Sequence, residues 1–291
     1  MAEKRDCGTL YVVGTPIGNL GDITLRAVDV LKRVRIVAAE DTRRSRVLLD
    51  HIGAHPQNLV SLHEHNEADR CPGLLDELQQ GHDVALVSDA GTPLVSDPGF
   101  LLVRRCWETG VGVIPVPGPS AITAVLSISP IPLDGFLFVG FLPARAGQRR
   151  ELLRQLRSSR TGVVFFEAPH RVLDMLRDLV SEVGAERRVF VAKELTKVHE
   201  RALFGAAHDV LGRLGEVEKG ERGEFVCVME GSHDAALEGA FDARRLMDTL
   251  LQELKPAQAA RVGAKLTGAP RAELYAYAVG RGKPDSREGS L

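Results

Sequence analysis

The chain has 291 residues, of which 44% are apolar and 26% are charged, and its formal net charge is −2. These values are typical of a globular protein of about two domains, and they argue against a protein that coats nucleic acid through an overall positive charge. The sequence has no apolar run long enough to cross a membrane, and its charged first residues are unlike a signal peptide, so we expect a cytoplasmic protein.

Strands and helices are predicted to alternate along the first part of the chain. Short apolar runs predict strands at residues 8–14, 35–39, 59–62, 84–87 and 113–116. Stretches with apolar residues at helical spacing follow these strands, and Thr42 is the predicted N-cap of the second helix. Because such alternation produces βαβ units, residues 1–130 are predicted to form an α/β domain with a parallel sheet.

A proline-rich stretch at residues 129–133 is the predicted boundary to a second α/β domain, which covers residues 131–232. Further strands are predicted at residues 136–141, 162–166, 188–192 and 224–229. A basic helix is predicted over residues 149–160. Residues 231–239 are mostly small and polar, which is typical of a linker.

The tail has helical spacings and no strand pattern. Helices are predicted at residues 242–254, 256–266 and 270–279, within a third domain that covers residues 239–283. The tight turn at residues 267–269 is compatible with a helix-turn-helix, and a plain helical cap on the second domain is the alternative.

The cysteine and histidine patterns do not predict a metal site. The four cysteines are scattered, without a CxxC pair, so buried free thiols are expected. His63 and His65 are spaced like two ligands on one strand face. Without a third ligand, surface histidines are the expected alternative.

Loops rich in glycine and proline follow several predicted strands, at residues 14–19, 88–99, 117–121 and 167–171. Open α/β sheets bind ligands at the carboxyl ends of their strands, where glycine allows close approach and proline adds stiffness. None of the loops matches a P-loop, a GxGxxG fingerprint or a GxSxG elbow. The residues alone therefore indicate a ligand-binding α/β protein, such as a transferase, and turns without a ligand remain the alternative.

The same loops resemble motifs of a known family. The matching segments are LYVVGTPIGNLGDIT at 10–24, AEDTR at 39–43, LHEHN at 62–66, SDAGTPLVSDPG at 88–99, PGPSA at 117–121, FEAPHR at 166–171, AKELTK at 192–197 and GE at 223–224. In this order they resemble the tetrapyrrole methylase superfamily, in the branch of ribosomal RNA small subunit methyltransferase I, a cytidine 2′-O-methyltransferase. The resemblance covers nearly the full chain.

The resemblance implies a two-domain α/β methyltransferase of class III with a small C-terminal helical segment, acting as a homodimer. It implies S-adenosylmethionine as methyl donor, held in the cleft between the α/β domains. It further implies that the acceptor is a cytidine ribose in the decoding region of 16S rRNA, within the small ribosomal subunit.

Residues for these roles can be placed on the matching loops. Cofactor contacts are expected at Pro16, Asp89, Ala90, Gly91, Thr92, Val95, Ser120, Ala121, Phe166, Glu167, Ala168 and Glu224. A ribose hydroxyl needs a base to take its proton, and Asp41 and Glu194 are preferred over Glu64 and His65. For Asp41, helix capping with an ion pair is the alternative.

Phosphate contacts are expected at basic residues of two kinds, those on the motifs and those on the predicted basic helix or just before it. They are Arg43, Lys193 and Lys197, and Arg145, Arg149 and Arg150. For the arginine run, a solvated helix face is the alternative.

Two other functions stay open. The first is a methylase of the same superfamily acting on a tetrapyrrole, which the arginine-rich segments and the extra helical tail disfavour. The second is a non-catalytic RNA-binding assembly factor, which tight binding of S-adenosylmethionine would disfavour.

Overall fold

A computed structural model describes residues 7–132, 134–216, 223–232 and 240–281, with the side chains of residues 240–245 and 281 excepted. The chain divides into two compact units. One comprises residues 1–156 and 161–230, and the other comprises residues 157–160 and 231–291. Most of the predicted linker at residues 231–239 lies outside the described residues, since only residues 231 and 232 of it are described. The linker therefore stays a prediction.

The first half of the large unit is built on a parallel sheet, as predicted. Its strands are β1 (Thr9–Val13), β2 (Ile36–Ala39), β3 (Asn58–Ser61), β4 (Val84–Val87) and β5 (Gly112–Val116), in the order β3-β2-β4-β1-β5. The helices of this half are α1 (Leu25–Arg33), α2 (Thr42–Ile52), α3 (Glu67–Gln79), α4 (Phe100–Glu108) and α5 (Ala121–Ile128). Each strand pairs in parallel with its neighbours, so the loops after the strands share one edge.

Helices cover both faces of this sheet, which explains why its strands are continuous apolar runs. In β2, Val37 and Ala39 belong to one buried cluster with residues of α1, and Ile36 and Ala38 belong to another with residues of α3 and α4. The alternation follows from the two-residue period of a strand.

Helix α2 begins one residue earlier than the sequence indicated. The N-cap is Asp41, whose side chain accepts a hydrogen bond from the Arg43 N–H at 2.8 Å, so the prediction of Thr42 as N-cap is wrong. An ionised carboxylate satisfies the free N–H groups of a first turn and also suits the positive end of the helix dipole. The helix ends at Gly53, which has φ +64°.

The second half of the large unit has a mixed sheet. Its strands are β6 (Phe136–Phe141), β7 (Gly162–Glu167), β8 (Arg188–Lys193), β9 (Arg201–Ala206) and β10 (Phe225–Met229), in the order β6-β7-β10-β8-β9. Among the described strands of this sheet, only the β6–β7 pair is parallel. Helices α6 (Ala146–Leu156), α7 (Val172–Glu182) and α8 (Ala207–Glu216) belong to this half.

Three elements of this half differ from the sequence expectation. Strand β9 and helix α8 were not predicted, because β9 is an exposed or half-buried edge strand with a weak apolar pattern. The basic helix ends at Leu156 rather than at residue 160. Ser158 and Ser159 follow it, and serine favours helix ends because its hydroxyl competes for backbone hydrogen bonds.

The small unit contains the three predicted helices, α9 (Ala240–Glu253), α10 (Pro256–Thr267) and α11 (Arg271–Arg281). Their described core is formed by Met247, Ala259, Ala260, Leu274 and Ala278. A Cβ on Gly263 would lie 2.8 Å from the Met247 sulfur, so α10 and α9 approach closely there.

Cys71, Cys106 and Cys227 are buried free thiols, as expected, and Cys7 is half-buried. Within the described residues, no helix combines the length and apolarity that crossing a membrane requires.

Candidate functional site

A cavity of about 440 Å³ lies at the carboxyl edge of the parallel sheet and is also lined by residues of the mixed sheet, all within the large unit. The predicted cofactor residues that line it are Asp89, Ala90, Gly91, Thr92, Val95, Ser120, Ala121, Phe166, Glu167, Ala168 and Glu224. Pro16 does not line it, although its neighbour Ile17 does. The structure thus brings together loops that are far apart in the sequence.

A second cavity of about 380 Å³ lies at the amino ends of β1 and β5. Its described lining comprises residues 7–9, 110 and 112–114 and has no charged side chain. Ligands of open α/β sheets bind at the opposite edge, so the 440 Å³ cavity is the candidate site.

The loop at residues 88–99 is anchored to the loop after β1. Thr15 and Gly91 exchange backbone hydrogen bonds of 2.8 and 3.0 Å, and the Thr15 hydroxyl donates to the Ser88 carbonyl at 3.2 Å. Gly91 has φ +79°, a conformation that glycine adopts at little cost.

The loops after β1 and β5 meet through two glycines. A Cβ on Gly14 would lie 2.9 Å from Gly118 Cα, and a Cβ on Gly118 would lie 2.8 Å from the Gly14 oxygen. Backbone atoms cannot move aside as a flexible side chain can. Glycine is therefore required at both positions for the two loops to frame the cavity together.

One wall of the cavity carries carboxylates. Asp89 Oδ1 accepts from the Asp41 N–H at 2.9 Å, Asp89 Oδ2 pairs with Arg44 at 3.2 Å, and the Asp89 N–H donates to Glu40 at 3.3 Å. Burial raises the pKa of Glu40 against the effect of that last hydrogen bond. Arg44 offsets one of these two carboxylates, so the wall carries more carboxylates than cations, which suits a cationic ligand.

The cavity is also lined by Glu167, a buried glutamate whose two carboxylate oxygens differ in their contacts. Glu167 has a fully buried side chain, and its Oε1 accepts from the Ala168 N–H at 2.8 Å and pairs with Arg171 at 2.5 Å. Among the described residues, its Oε2 has no hydrogen-bond partner. A buried acceptor of this kind is costly unless a donor satisfies it, and a ligand in the cavity could supply one.

The structure argues against both preferred bases, because neither lines the cavity and each is engaged elsewhere. The hydrogen bonds from Arg43 lower the pKa of Asp41 to about 2. Burial alone would raise the pKa of Glu194, but hydrogen bonds from the Glu224 N–H at 2.8 Å and Lys197 at 2.9 Å outweigh it and lower that pKa. A strongly ionised, paired carboxylate is a weak proton acceptor.

The two alternative bases, Glu64 and His65, are exposed and do not line the cavity either. The interpretation of Asp41 as a helix cap with an ion pair describes its contacts in the structure.

The predicted RNA-contacting residues fall into different environments. Arg43, Arg145 and Arg150 are exposed, and Lys193 is half-buried. Lys197 bridges Glu194 and Glu224, at 2.9 Å from each.

Arg149 is buried and pairs with Asp178 at 2.6 Å, with a second hydrogen bond of 2.8 Å. A buried, neutralised guanidinium cannot reach an RNA phosphate, so the expected RNA contact at Arg149 is corrected to a structural ion pair.

Several lining residues were not predicted from the sequence, among them Glu40, Arg44, Ser96, Asp97, Phe141 and Leu195. Asp97 stands inside a loop that the sequence did single out, so a search for carboxylates within that loop would have found it. Phe141 carries no comparable signal, because it ends an ordinary apolar strand.

Comparisons with known proteins agree with this architecture. A family model of tetrapyrrole (corrin/porphyrin) methylases matches residues 9–211, and a model described as the RsmI C-terminal HTH domain matches residues 238–282. Among solved structures, uroporphyrin III C-methyl transferase from Thermus thermophilus is similar with a TM-score of 0.56 and 20% identity, over 77% of this chain and 97% of that one. The methyltransferase CobJ has a TM-score of 0.57 and 16% identity, over 77% and 95%.

Curated relatives match over nearly the whole chain. A protein of Xylella fastidiosa (strain Temecula1) named ribosomal RNA small subunit methyltransferase I is 44% identical, over 92% of this chain and 98% of that one. Proteins of the same name from Escherichia coli O157:H7 and Micromonospora olivasterospora are 43% and 46% identical, over 94% of this chain in both cases and over 95% and 87% of their own lengths. The chain belongs to the tetrapyrrole methylase family, in the branch of ribosomal RNA small subunit methyltransferase I.

Proposed function

We propose that this protein transfers a methyl group from S-adenosylmethionine to the 2′-oxygen of a cytidine ribose in the decoding region of 16S rRNA, within the small ribosomal subunit. It does so in the cytoplasm as a homodimer. The observation that carries the proposal is the 440 Å³ cavity, which gathers the family's loops in a chain whose relatives are named for methylation of this RNA. The cytidine and the 2′-oxygen rest on the resemblance of the motifs.

The residues of the cavity fit the proposed cofactor. S-adenosylmethionine supplies a methyl group on a positively charged sulfur, and the wall formed by Glu40 and Asp89 complements that charge. The unpartnered Glu167 Oε2 would accept a hydrogen bond from an N–H or O–H of the ligand. Val95 and Phe166 offer apolar surface for an adenine ring.

Two residues at the start of a helix complete the cofactor site in this proposal. Ser120 is the N-cap of α5 and Ala121 is its first residue, and both line the cavity. Neither the Ser120 side chain nor another described side chain caps this helix. The free N–H groups of its first turn would therefore be donors for the ligand's carboxylate.

The RNA would contact exposed basic residues outside the cavity. Arg43, Arg145 and Arg150 are accessible, Lys193 is the last residue of β8, and Lys197 lies in the segment that follows this strand. Helices α10 and α11 add three exposed cations at Arg261, Lys265 and Arg271. We propose that these helices belong to a separate RNA-binding domain, residues 239–283, in addition to the α/β domains at residues 1–130 and 131–232.

The test uses S-adenosylmethionine labelled in its methyl group and three acceptors: naked 16S rRNA, purified small subunits and a porphyrin precursor. Labelled RNA is then hydrolysed with alkali, because a 2′-O-methyl group removes the attacking hydroxyl and leaves an uncleaved dinucleotide. The proposal expects label in an alkali-resistant dinucleotide that begins with cytidine, with small subunits as the best acceptor.

Three results would overturn the proposal. Label on a base would mean a different RNA methyltransferase, and label on the porphyrin would mean a small-molecule methylase. Tight RNA binding without transfer, by protein that does not bind S-adenosylmethionine, would mean a non-catalytic assembly factor.

A further inference from the structure

Five carboxylates line the cavity, at Glu40, Asp89, Asp97, Glu167 and Glu224. Three of them have a basic partner: Asp89 pairs with Arg44 at 3.2 Å, Glu167 with Arg171 at 2.5 Å and Glu224 with Lys197 at 2.9 Å. Within the part of the chain that the structure describes, no basic side chain is within ion-pair distance of Glu40 or Asp97. A carboxylate that takes a proton during a reaction should be one of these two.

Glu40 is less suited, because it anchors a loop. Its Oε2 accepts the Asp89 N–H at 3.3 Å, and that contact connects the end of β2 with the loop after β4. Protonation of Glu40 would weaken the hydrogen bond that it accepts. Asp97 contributes less to holding the loop, because its hydrogen-bond partner is the Ser88 hydroxyl. That hydroxyl also lies 3.3 Å from the Ala90 carbonyl oxygen and can donate to it instead.

The backbone around Asp97 is held in an uncommon conformation. Leu94 and Ser96 have φ +72° and +67°, values that side-chain-bearing residues adopt rarely and that cluster at functional sites. A Cβ on Gly140 would lie 3.2 Å from Ser96 Oγ, so the loop packs against the irregular part of β6. Asp97 and Phe141, which lies just beyond this irregularity, line the same cavity.

The electrostatic surroundings of Asp97 suit a proton acceptor. Burial and, to a smaller extent, the neighbouring charges of Glu40 and Asp89 raise its pKa to about 6, against the lowering effect of the Ser88 hydrogen bond. Arg44 is a cation whose charge lowers the pKa of Glu40, and it is engaged by Asp89. At neutral pH most Asp97 side chains are ionised, yet each is a stronger base than an ordinary aspartate.

We propose that Asp97 is the general base of the reaction and takes the proton of the ribose 2′-hydroxyl, an inference that rests on the function proposed above. As the oxygen–carbon bond to the methyl group forms, the sulfur–carbon bond of the donor breaks and its electron pair goes to sulfur. The hydroxyl proton passes to an Asp97 carboxylate oxygen. The products are a 2′-O-methyl ribose, a neutral thioether and a protonated Asp97, which returns its proton to water.

The test compares the wild-type protein with Asp97→Asn and with Asp50→Asn, a control at an exposed carboxylate of α2 outside the cavity. Single-turnover transfer to small subunits is followed from pH 5 to 9, and cofactor affinity is measured by calorimetry. The wild-type rate should rise with pH to a plateau with a midpoint near 6. Asp97→Asn should lose about 100-fold or more in rate and lose this midpoint, while its cofactor affinity and melting temperature stay close to the wild type.

A second variant covers the case in which Asp97→Asn does not fold. Ser88→Ala removes the hydrogen bond that lowers the pKa of Asp97, so the midpoint of the rate profile should move to higher pH. The carboxyl ¹³C signal of Asp97 should titrate in the free wild-type and Ser88→Ala proteins with the midpoints of their rate profiles. The signal is assigned by its loss in Asp97→Asn or by its shift in Ser88→Ala.

The outcomes separate the two proposals. If the wild type puts no label on ribose, the proposed function fails. If the wild type does methylate ribose but a folded Asp97→Asn variant keeps its rate and pH profile, the base is another group. An unmoved midpoint in Ser88→Ala overturns the role of Asp97 in the same way.

Discussion

Thr15 and Gly91, which are 76 positions apart in the sequence, form a bridge of two backbone hydrogen bonds between the loops after β1 and β4. The bridge is antiparallel, whereas β1 and β4 pair in parallel, so it belongs to the loops rather than to the sheet, and it anchors the loop at residues 88–99. One wall of the cavity is therefore a loop that backbone hydrogen bonds hold in place.

Replacement of Gly91 by valine should abolish cofactor binding without unfolding the protein. Gly91 has φ +79°, and a β-branched residue there carries backbone strain of about 1–3 kcal/mol. Its Cβ itself would meet only ordinary contacts, 3.4 Å from Ile17 and 3.8 Å from the Pro119 oxygen. Calorimetry with S-adenosylmethionine and urea unfolding measure the two effects.

The matched control is Gly53→Val, at φ +64° in the C-cap of α2, where a Cβ would meet nothing within 4 Å. Both variants should lose similar stability, and only Gly91→Val should lose the cofactor. A folded Gly91→Val protein that binds normally would remove this loop from the site.

Replacement of Gly14 by alanine should force apart the loops after β1 and β5. The new Cβ would lie 2.9 Å from Gly118 Cα, and overpacking of this kind costs about 1–3 kcal/mol. Cofactor affinity should fall together with stability, because Ser120 and Ala121 follow Gly118 and line the cavity. Gly112→Ala in β5, where nothing lies within 4 Å, is the control and should change neither quantity. Equal affinities in both variants would contradict the requirement for a glycine contact.

Replacement of Arg149 by methionine should destabilise the protein by about 3–5 kcal/mol in urea unfolding, because it leaves Asp178 as a poorly solvated, unpaired charge. The control is Arg150→Met, because Arg150 is the next residue of α6 and is exposed. This variant should leave stability unchanged and weaken RNA binding. The double variant Arg149→Met with Asp178→Leu should recover part of the loss. If Arg149→Met instead weakened RNA binding and left stability intact, the assignment of a structural ion pair would be wrong.

Replacement of Asp41 by asparagine should leave methyl transfer close to the wild-type rate, because asparagine still caps α2 and Asp41 does not line the cavity. Its effect should appear in acid. The folded pKa of Asp41 is about 2, below the ordinary 3.8, so its ionisation stabilises the fold above pH 3.8 and this contribution is lost as the pH falls towards 2.

Unfolding curves across that acid range check the prediction: the wild type should lose more stability than Asp41→Asn as the pH falls. A large drop in transfer at neutral pH would instead restore Asp41 as a candidate base.

Simultaneous replacement of Arg261 and Lys265 by alanine should weaken binding to small subunits and reduce its dependence on salt. Each phosphate contact contributes about one unit to the slope of log affinity against log salt, so the slope should fall by about two. Arg104→Ala is the control, because Arg104 is exposed but belongs to an ion pair with Glu108 on α4. An unchanged slope would indicate that the C-terminal helices do not contact RNA.

Most strands and helices were predictable because their signals are local. Continuous apolar runs such as Val84–Val87 mark strands that are covered on both faces, and helical spacing marks the helices between them. Strand β9 was missed because it is held by pairing with β8 rather than by its own apolar pattern. The order of the mixed sheet, in which β10 lies between β7 and β8, depends on contacts that no local pattern records.

The sequence by itself determined that the glycine- and proline-rich loops after β1, β4 and β5 lie together, because the carboxyl ends of parallel strands share one edge. Only the tertiary structure decided what each charged residue does there. Asp41 and Glu194 are paired with nearby cations and Arg149 is buried against Asp178, whereas Asp97 is enclosed without a basic partner among the described residues. Protonation depends on desolvation and on the charges within a few ångströms, and these are properties of the folded arrangement rather than of residue type.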